Sequence, residues 1–312
     1  MSMNRREFAA SVAAVAGTLT LGRSQAAVAD PAVPFRISLA QWSLHRAFGR
    51  RGKATLNPLD FAKISHTEYA IDAVEYVSQF YAAKKKDEGY LKQLKQVAED
   101  HGVKGLLIMI DNEGGLGDAD ETKRATAVDN HKRWVEWAKV LGCHSIRVNA
   151  YSTGSYEEQL SRAADGLGKL TDFAAPMGIN IIVENHGGFS SNGQWLAGVM
   201  KQVNKPTCGT LPDFGNFKTG TKDGKDEFYD RYKGVDEMMP FAKGVSAKSH
   251  DFDAKGNEER TDYRKMLDIV CKKHKYNGFI GIEYEGDKLS ESDGIKATKK
   301  LLETVRDEWA KA

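Results

Sequence analysis

The sequence predicts an α/β fold, a single-domain (β/α)8 TIM barrel that follows an N-terminal export signal. From Phe35 onward, eight short apolar runs alternate with longer stretches of helical periodicity, and no linker rich in proline or serine divides them. Gly102, Gly142 and Gly178 each fall at or just before the start of an apolar run, where the end of a helix needs a residue that tolerates positive φ. This repeated junction favours one strand-plus-helix unit copied around a ring. An open doubly wound sheet also alternates strands and helices, but it rarely contains eight units and normally carries a nucleotide-binding fingerprint.

The eight predicted strands have mostly apolar interiors, as expected when protein covers both faces of a parallel sheet. In chain order they span residues 35–41, 73–77, 103–110, 145–149, 179–183, 208–211, 244–247 and 279–282. The helical pattern is clearest over 120–140 and 156–177, where apolar residues recur at steps of three and four. The first of these stretches carries Trp134, Trp137 and Val140, and we expect this face to pack on the sheet.

Residues 1–29 are predicted to be a twin-arginine export signal, and residues 30–312 to be the barrel. Two adjacent arginines precede Phe8, and a small apolar stretch follows over 9–21. That stretch falls short of the roughly 20 residues that a membrane span needs, so an anchoring helix is the weaker interpretation. We therefore expect a periplasmic or otherwise exported protein, with no stable membrane insertion after the signal is removed.

Charge and cysteine content restrict the class of partner. Residues 1–29 carry three arginines and one glutamate, so the rest of the chain has a formal net charge of zero. No attraction to nucleic acid or to an anionic membrane follows from that balance. Cys143, Cys208 and Cys271 lie in or beside apolar runs and are predicted to be buried thiols, because an odd number of cysteines does not suggest a disulfide scaffold.

Polar side chains collect where the apolar runs stop, most clearly at Glu184, Asp213, His250 and Glu283. These four residues are 29, 37 and 33 positions apart, about the length of one strand-plus-helix unit. In a barrel they would converge on the face formed by the C-terminal ends of the strands. Three carboxylates and an imidazole predict a divalent metal ion, and the oxygen-rich set favours Mn²⁺, Mg²⁺, Co²⁺ or Zn²⁺ without ranking them.

Further residues at the same strand ends suit catalysis or the binding of a polyol. Ser246, Lys248 and His250 share one face if the seventh strand runs that far, and Lys248 is a candidate for stabilising a developing oxyanion. Donors, acceptors and aromatic faces for a sugar are predicted from His186, Asn216, Arg147, Trp42, His45 and Glu285.

The segments VENHGG, PDFGNF, SAKSHDF and GIEYEG resemble the xylose-isomerase-like TIM-barrel superfamily, in particular its sugar phosphate isomerase/epimerase branch. The resemblance extends over essentially all of residues 30–312. It implies that the Glu, Asp, His, Glu set holds a divalent ion and that Glu184 and Glu283 also move protons. The sequence departs from the family at one point, because many relatives place a histidine two residues before a lysine where this chain has Ser246 before Lys248. Either His250 reaches back to the ion or the coordination sphere differs.

These observations predict a metal-dependent sugar isomerase or epimerase that removes a proton next to a carbonyl. Export and the lack of a phosphate-cradling loop favour a non-phosphorylated sugar or keto-glycoside as the small-molecule partner. Two alternatives stay open, a 3-keto-glycoside lyase or hydratase at the same site and a non-catalytic exported sugar-binding protein. A nuclease of this barrel class would need more histidines and a basic groove. The sequence leaves open whether the protein forms a homo-oligomer.

Overall fold

The structure, a computed structural model, describes residues 34–50 and 52–311, which lie within one compact unit. The predicted export signal lies outside the described residues. Ten strands are found in the described part of the chain: β1 (Arg36–Ala40), β2 (Ala73–Val77), β3 (Lys104–Met109), β4 (Ser145–Val148), β5 (Asn180–Glu184), β6 (Cys208–Leu211), β7 (Lys218–Lys222), β8 (Lys225–Phe228), β9 (Val245–Ser249) and β10 (Phe279–Tyr284).

Eight of these strands form one parallel sheet, in the order β6-β5-β4-β3-β2-β1-β10-β9. The two end strands meet through isolated parallel bridges that pair Thr210 with Ala242 and Asp213 with Ser246. These bridges close the sheet into a barrel, so the predicted (β/α)8 fold is confirmed. Each of the eight predicted strands is present, with its ends shifted by no more than two residues.

Eight α-helices occur in the described residues: α1 (Phe61–Tyr69), α2 (Glu88–Asp100), α3 (Glu121–Val140), α4 (Tyr156–Ala174), α5 (Gly193–Val203), α6 (Arg231–Met238), α7 (Tyr263–Leu267) and α8 (Glu291–Ala310). Capping side chains set several of their starts. Ser155 and Glu158 form a reciprocal capping box at α4, and Asp120 accepts two backbone N–H groups at α3. Such caps stabilise the start of a helix, because they pair backbone N–H groups that have no partner within the helix. No helix in the described part of the chain is long and apolar enough to cross a membrane.

The predicted helix-to-strand junctions are present. Gly142 and Gly178 have φ of 73° each, a left-handed conformation that side chains rarely adopt. Trp134 and Trp137 are fully buried, as predicted, but Val140 is 38% exposed. Each step of three residues falls about 60° short of a full helical turn, so Val140 has drifted off the buried face.

The cysteine prediction is confirmed for Cys143 and Cys208, which are buried free thiols, whereas Cys271 is only partly buried. The antiparallel hairpin of β7 and β8 was not predicted. Its strands are short, polar and largely exposed, so they lack the apolar run that indicated the other strands.

Side chains alternate between the two faces of each barrel strand. On β9, the side chain of Ser249 is bonded to Thr298 on α8, outside the barrel. Ser246 and Lys248 lie on the opposite face of the strand and point into the barrel. A separate apolar cluster fills part of the barrel interior with Ala40, Val77, Leu107, Met109, Ile182 and Leu211. The polar residues described next occupy the same interior, toward the C-terminal ends of the strands.

Candidate active site

Three carboxylates meet at the C-terminal end of the barrel. Glu184 is the last residue of β5, Asp213 follows β6 by two residues, and Glu283 lies near the end of β10. One oxygen from each lies within 4.8 Å of the others, and all three residues are at most 3% exposed. The structure therefore brings together three of the four predicted metal ligands.

Asp213 is held by backbone and side-chain donors. Its Oδ1 accepts the N–H groups of Gly215 and Asn216, each at 2.8 Å, and its Oδ2 accepts the hydroxyl of Ser246 at 2.7 Å. Asn185 fixes the same turn, because its Oδ1 accepts the N–H of Asp213 and its Nδ2 donates to the carbonyl oxygens of Asp213 and Asn216. The orientation of this carboxylate is thus set before any ligand arrives.

Glu184 offers an oxygen that makes no hydrogen bond. Its Oε1 accepts the side-chain N–H of Asn216 at 2.8 Å. Its Oε2 lies 2.9 Å from Nε of Arg147, the distance of an ion pair, but neither of these buried atoms has a hydrogen-bond partner. A buried carboxylate oxygen in this state retains lone pairs for another ligand.

Glu283 lies between a hydroxyl and an ammonium group. Its Oε2 is 3.2 Å from Oγ of Ser246, and its Oε1 is 3.0 Å from Nζ of Lys248. Burial raises the pKa of Glu283 to about 8, since Lys248 offsets only part of the effect of burial and of three neighbouring carboxylates. Burial thus opposes the ionised form of this carboxyl group.

Lys248 and Arg147 are the buried cations that face these carboxylates. Burial opposes the charge on Lys248, but Glu283, Asp213 and Glu285 raise its pKa well above the usual value. Arg147 is bonded to Asp111 at 3.1 Å as well as close to Glu184. Two cations thus face five acidic groups, which leaves an excess of acidic groups. The five are Asp111, Glu184, Asp213, Glu283 and Glu285.

That imbalance and the free oxygen of Glu184 fit a divalent cation. Three buried carboxylates need either protons or a cation to lower their mutual repulsion. Hard, oxygen-coordinated ions such as Mg²⁺ or Mn²⁺ take this kind of donor. The residues that would hold the ion are Glu184, Asp213 and Glu283.

His250 does not join the three carboxylates. Its Nδ1 lies 3.8 Å from Oε1 of Glu258, and its backbone N–H donates to the same oxygen at 3.1 Å. The predicted inward orientation required the seventh strand to run through residue 250, but β9 ends at Ser249. The chain leaves the sheet there, so the alternation of faces no longer applies.

A cavity of about 460 Å³ opens above Glu283 at the mouth of the barrel. Four of the residues predicted to bind substrate line it, namely Trp42, Arg147, His186 and Glu285. Its volume is in the range of small-molecule binding sites. Asn216 contacts Glu184 instead.

His45 is placed behind Trp42. The two rings stack at 5.1 Å, and Nδ1 of His45 lies 2.9 Å from the carbonyl oxygen of Trp42. His45 is 5% exposed, so the structure gives it a supporting position and no direct path to a ligand. The indole N–H of Trp42 in turn donates to Oε1 of Glu285.

Glu285 is held as an anion at the edge of the cavity. Burial alone would raise its pKa, but Lys248, with Nζ at 3.2 Å from Oε2, and the hydrogen bond from Trp42 lower it to about 2. This carboxylate can accept hydrogen bonds from substrate hydroxyls.

Asp111 was recognised from the sequence as a polar residue at a strand end but was given no role; it lines the cavity and positions Arg147. It accepts hydrogen bonds from Arg147, Asn149 and Gln79 at 2.8–3.1 Å. Burial opposes its charge, yet Arg147 and the two amides hold its pKa well below the usual value. It follows β3 by two residues, so the strand-end rule that identified Glu184 applies to it as well.

Glu75 was likewise noted as a polar residue in a predicted strand but was given no role. It is 3% exposed inside the barrel on β2, where its Oε1 accepts the hydroxyl of Ser38 at 2.7 Å and its Oε2 has no hydrogen-bond partner. Gly281 leaves room for it, because a Cβ atom there would lie 2.3 Å from Oε1 of Glu75. Burial raises the pKa of Glu75 to about 7.

Comparison with known proteins gives one family match. A family profile described as xylose isomerase-like TIM barrel matches residues 66–307 of this chain. No curated protein sequence matches it.

Solved structures with low sequence identity share the fold. A D-tagatose 3-epimerase-like protein superposes with a TM-score of 0.65 at 17% identity, covering 88% of this chain and 97% of the other. A 3-keto-D-glucoside 4-epimerase from E. coli gives 0.63 at 13% identity, covering 86% and 99%. A xylose isomerase-like TIM barrel protein from Mycobacterium smegmatis, in complex with magnesium, gives 0.64 at 15% identity, covering 89% and 98%.

Proposed function

Because this chain belongs to the family of xylose isomerase-like TIM barrels, we propose that it is a divalent-metal-dependent isomerase or epimerase of a non-phosphorylated sugar. One observation carries the proposal: three buried carboxylates each place one oxygen within 4.8 Å of the others, and one of the three, Glu283, lines a cavity that also has other polar side chains in its wall. The epimerase names of two structural neighbours agree with it.

The bound cation would be held by Glu184, Asp213 and Glu283, and it would acidify the C–H bond next to a substrate carbonyl by polarising that carbonyl. Glu184 and Glu283 belong to β5 and β10, which are separated by β6 and β9 on the shorter way around the barrel. Two carboxyl groups on different sides of a substrate can remove a proton and return one. Return to the same carbon from the other face gives an epimer, and return to the neighbouring carbon gives an isomer.

Lys248 and Arg147 stabilise the charges that this chemistry requires. An ammonium has three N–H donors, and Glu283 and Glu285 engage Lys248 at 3.0 and 3.2 Å, which leaves a third donor for developing negative charge on the substrate. Arg147 lines the cavity and holds Glu184 and Asp111. Both are therefore retained as functional residues, Lys248 in catalysis and Arg147 in substrate binding.

The charge of the cavity supports a neutral substrate. Its lining contains four carboxylates, Asp111, Glu113, Glu283 and Glu285, against two arginines, Arg50 and Arg147. Of the two arginines, Arg147 is already paired with Asp111 and Glu184, so the lining has little positive charge left to hold a phosphate dianion. Trp42 offers an aromatic face, and His186, Asn149 and Gln79 offer polar groups for hydroxyls.

Solvent deuterium exchange into a panel of ketoses and 3-keto-glycosides tests the proposal, because it detects proton removal whatever the final product. We expect exchange that is abolished by EDTA and restored by a divalent ion. Glu184→Gln and Glu283→Gln should abolish it while the circular dichroism spectrum is retained, and Glu259→Gln on the surface should not change it. A protein that binds sugars with unchanged affinity in EDTA, and that exchanges no proton in the panel, would instead be a non-catalytic binding protein.

A further inference from the structure

We propose that Ser246 provides a fourth oxygen ligand to the metal centre, in a set that contains no imidazole, so that the centre has a weak preference for Zn²⁺ and Co²⁺ over Mn²⁺ and Mg²⁺. This inference rests on the proposed function, since it concerns the ion that the same carboxylates would hold. According to this inference, Ser246 helps to determine which divalent ion the site binds.

The hydroxyl group of Ser246 lies among the carboxylates. Its Oγ is 2.7 Å from Oδ2 of Asp213 and 3.2 Å from Oε2 of Glu283, and the residue is 1% exposed. The parallel bridge between Asp213 and Ser246 fixes this proximity in the backbone. A hydroxyl has one hydrogen to donate and two lone pairs, so Oγ can bond to a carboxylate and still offer an oxygen to a cation.

No histidine of the described residues belongs to the cluster of carboxylates. The group of possible ligand atoms contains Glu184, Asp213 and Glu283 and no histidine or cysteine. The ring of His250 faces Glu258, and Nδ1 of His186 contacts the hydroxyl of Tyr151.

The nearby nitrogens that do reach the carboxylates cannot act as ligands. Nζ of Lys248 is directed at the carboxylates of Glu283 and Glu285, at 3.0 and 3.2 Å, and the side-chain amide of Asn216 donates its N–H to Glu184. Neither has a nitrogen lone pair available for a metal. The four side-chain donors that meet at this point therefore all present oxygen.

An all-oxygen set changes the relative affinities of the ions. Carboxylate and hydroxyl oxygens suit Mg²⁺ and Mn²⁺, whereas an imidazole raises the affinity for Zn²⁺, Co²⁺ and related ions. Zn²⁺ binds more tightly than Mn²⁺ to most sites, so the informative quantity is the ratio of the two affinities. An imidazole introduced at residue 246 should raise that ratio.

The test compares wild type with Ser246→His, Ser246→Ala and His250→Ala. Titration calorimetry gives the affinities for Mn²⁺ and Zn²⁺, and electron spin echo measurements on the Mn²⁺-loaded proteins detect a directly bonded imidazole nitrogen. We expect no such nitrogen in wild type and its appearance in Ser246→His, with a rise in the Zn²⁺-to-Mn²⁺ affinity ratio on the order of ten-fold. Ser246→Ala should weaken Mn²⁺ binding, and His250→Ala should leave it unchanged.

Two results would overturn the inference. One is a bonded nitrogen in wild type that disappears in His250→Ala. The other is a folded Ser246→His protein that binds Mn²⁺ with an unaltered affinity ratio and no nitrogen signal. Either result leaves the proposed enzyme standing if deuterium exchange still requires a metal. If wild type binds neither ion, both this inference and the metal dependence of the proposed function fail.

Discussion

Nζ of Lys248 lies 3.0 Å from Oε1 of Glu283 and 3.2 Å from Oε2 of Glu285, inside the barrel. Lys248 is 3% exposed, and its neighbours keep it charged. Lys248 lowers the pKa of Glu285 against the effect of burial, whereas burial outweighs Lys248 at Glu283 and raises its pKa. One buried lysine therefore contacts two acidic groups whose pKa values are shifted in opposite directions.

Replacing Lys248 by methionine should destabilise the protein by about 3 kcal/mol at pH 7, because it leaves the anion of Glu285 without its cation. The pKa of Glu285 is depressed in the folded protein, so the stability from this pair is present above the unfolded value near 4.5 and is lost as pH falls toward about 2. The loss caused by Lys248→Met should therefore shrink at pH 4. Urea unfolding at both pH values measures it. Lys288→Met, at an exposed lysine paired with Glu259, is the control and should leave stability nearly unchanged at both pH values.

Glu75→Gln should flatten the pH dependence of stability of the metal-free protein. The folded pKa of Glu75 is raised from 4.5 to about 7, so its contribution is fully present below pH 4.5 and is lost as pH rises through 7. Wild type should lose stability between pH 5 and 8, and the variant should lose less, by up to on the order of 3 kcal/mol. Thermal unfolding across this range checks it, with exposed Glu99→Gln as the control. Equal slopes for wild type and Glu75→Gln would rule the assignment out.

Asn216→Ala should lower metal affinity by roughly 10–100-fold, because Nδ2 of Asn216 orients Glu184 through a 2.8 Å hydrogen bond. Calorimetric titration with Mn²⁺ measures the change. Asn149→Ala is the matched control, since Asn149 bonds to Asp111 and not to the three carboxylates. A similar loss in both variants would show that general loosening of the site, and not the orientation of Glu184, is responsible.

Trp42→Phe should raise KM by roughly ten-fold and change kcat less. The substitution removes the N–H donor to Glu285 and keeps an aromatic ring above His45. The loss of one hydrogen bond to a buried charge costs about 1.5–3 kcal/mol. Steady-state kinetics on the sugar identified by deuterium exchange provide the measurement. If Trp42→Phe behaves as wild type and only Trp42→Ala is impaired, then the ring and not its N–H group serves the substrate.

The sequence was most informative where a local pattern determines structure. Apolar runs located the eight barrel strands, and the strand-end rule located Glu184, Asp213 and Glu283, because a residue's place at a strand end is a local property. The inward orientation predicted for His250 required the seventh strand to extend through residue 250, but β9 ends one residue earlier, at Ser249.

Contacts between residues that are far apart in the sequence could not be predicted from local sequence patterns. The contact between Ser246 and Asp213 depends on how the first and last strands of the sheet order meet, and no local pattern encodes that register. The position of His45 behind Trp42 likewise depends on tertiary packing. The predicted roles of the site residues, the export signal and the identity of the metal stay predictions.

The closure of the barrel between β6 and β9 affects its local stability. In the described residues this junction has isolated bridges, whereas the pair β9 and β10 is joined along five residues. Asp213 and Ser246 face each other across it, and Ser246 exchanges backbone hydrogen bonds there with Phe214 and Pro212. An ion bound at this point would hold β6 and β9 together and so stabilise the closure of the barrel. Removal of the ion should allow local opening between β6 and β9. The amide protons of Phe214 and Ser246 should then exchange with solvent sooner than those elsewhere in the barrel.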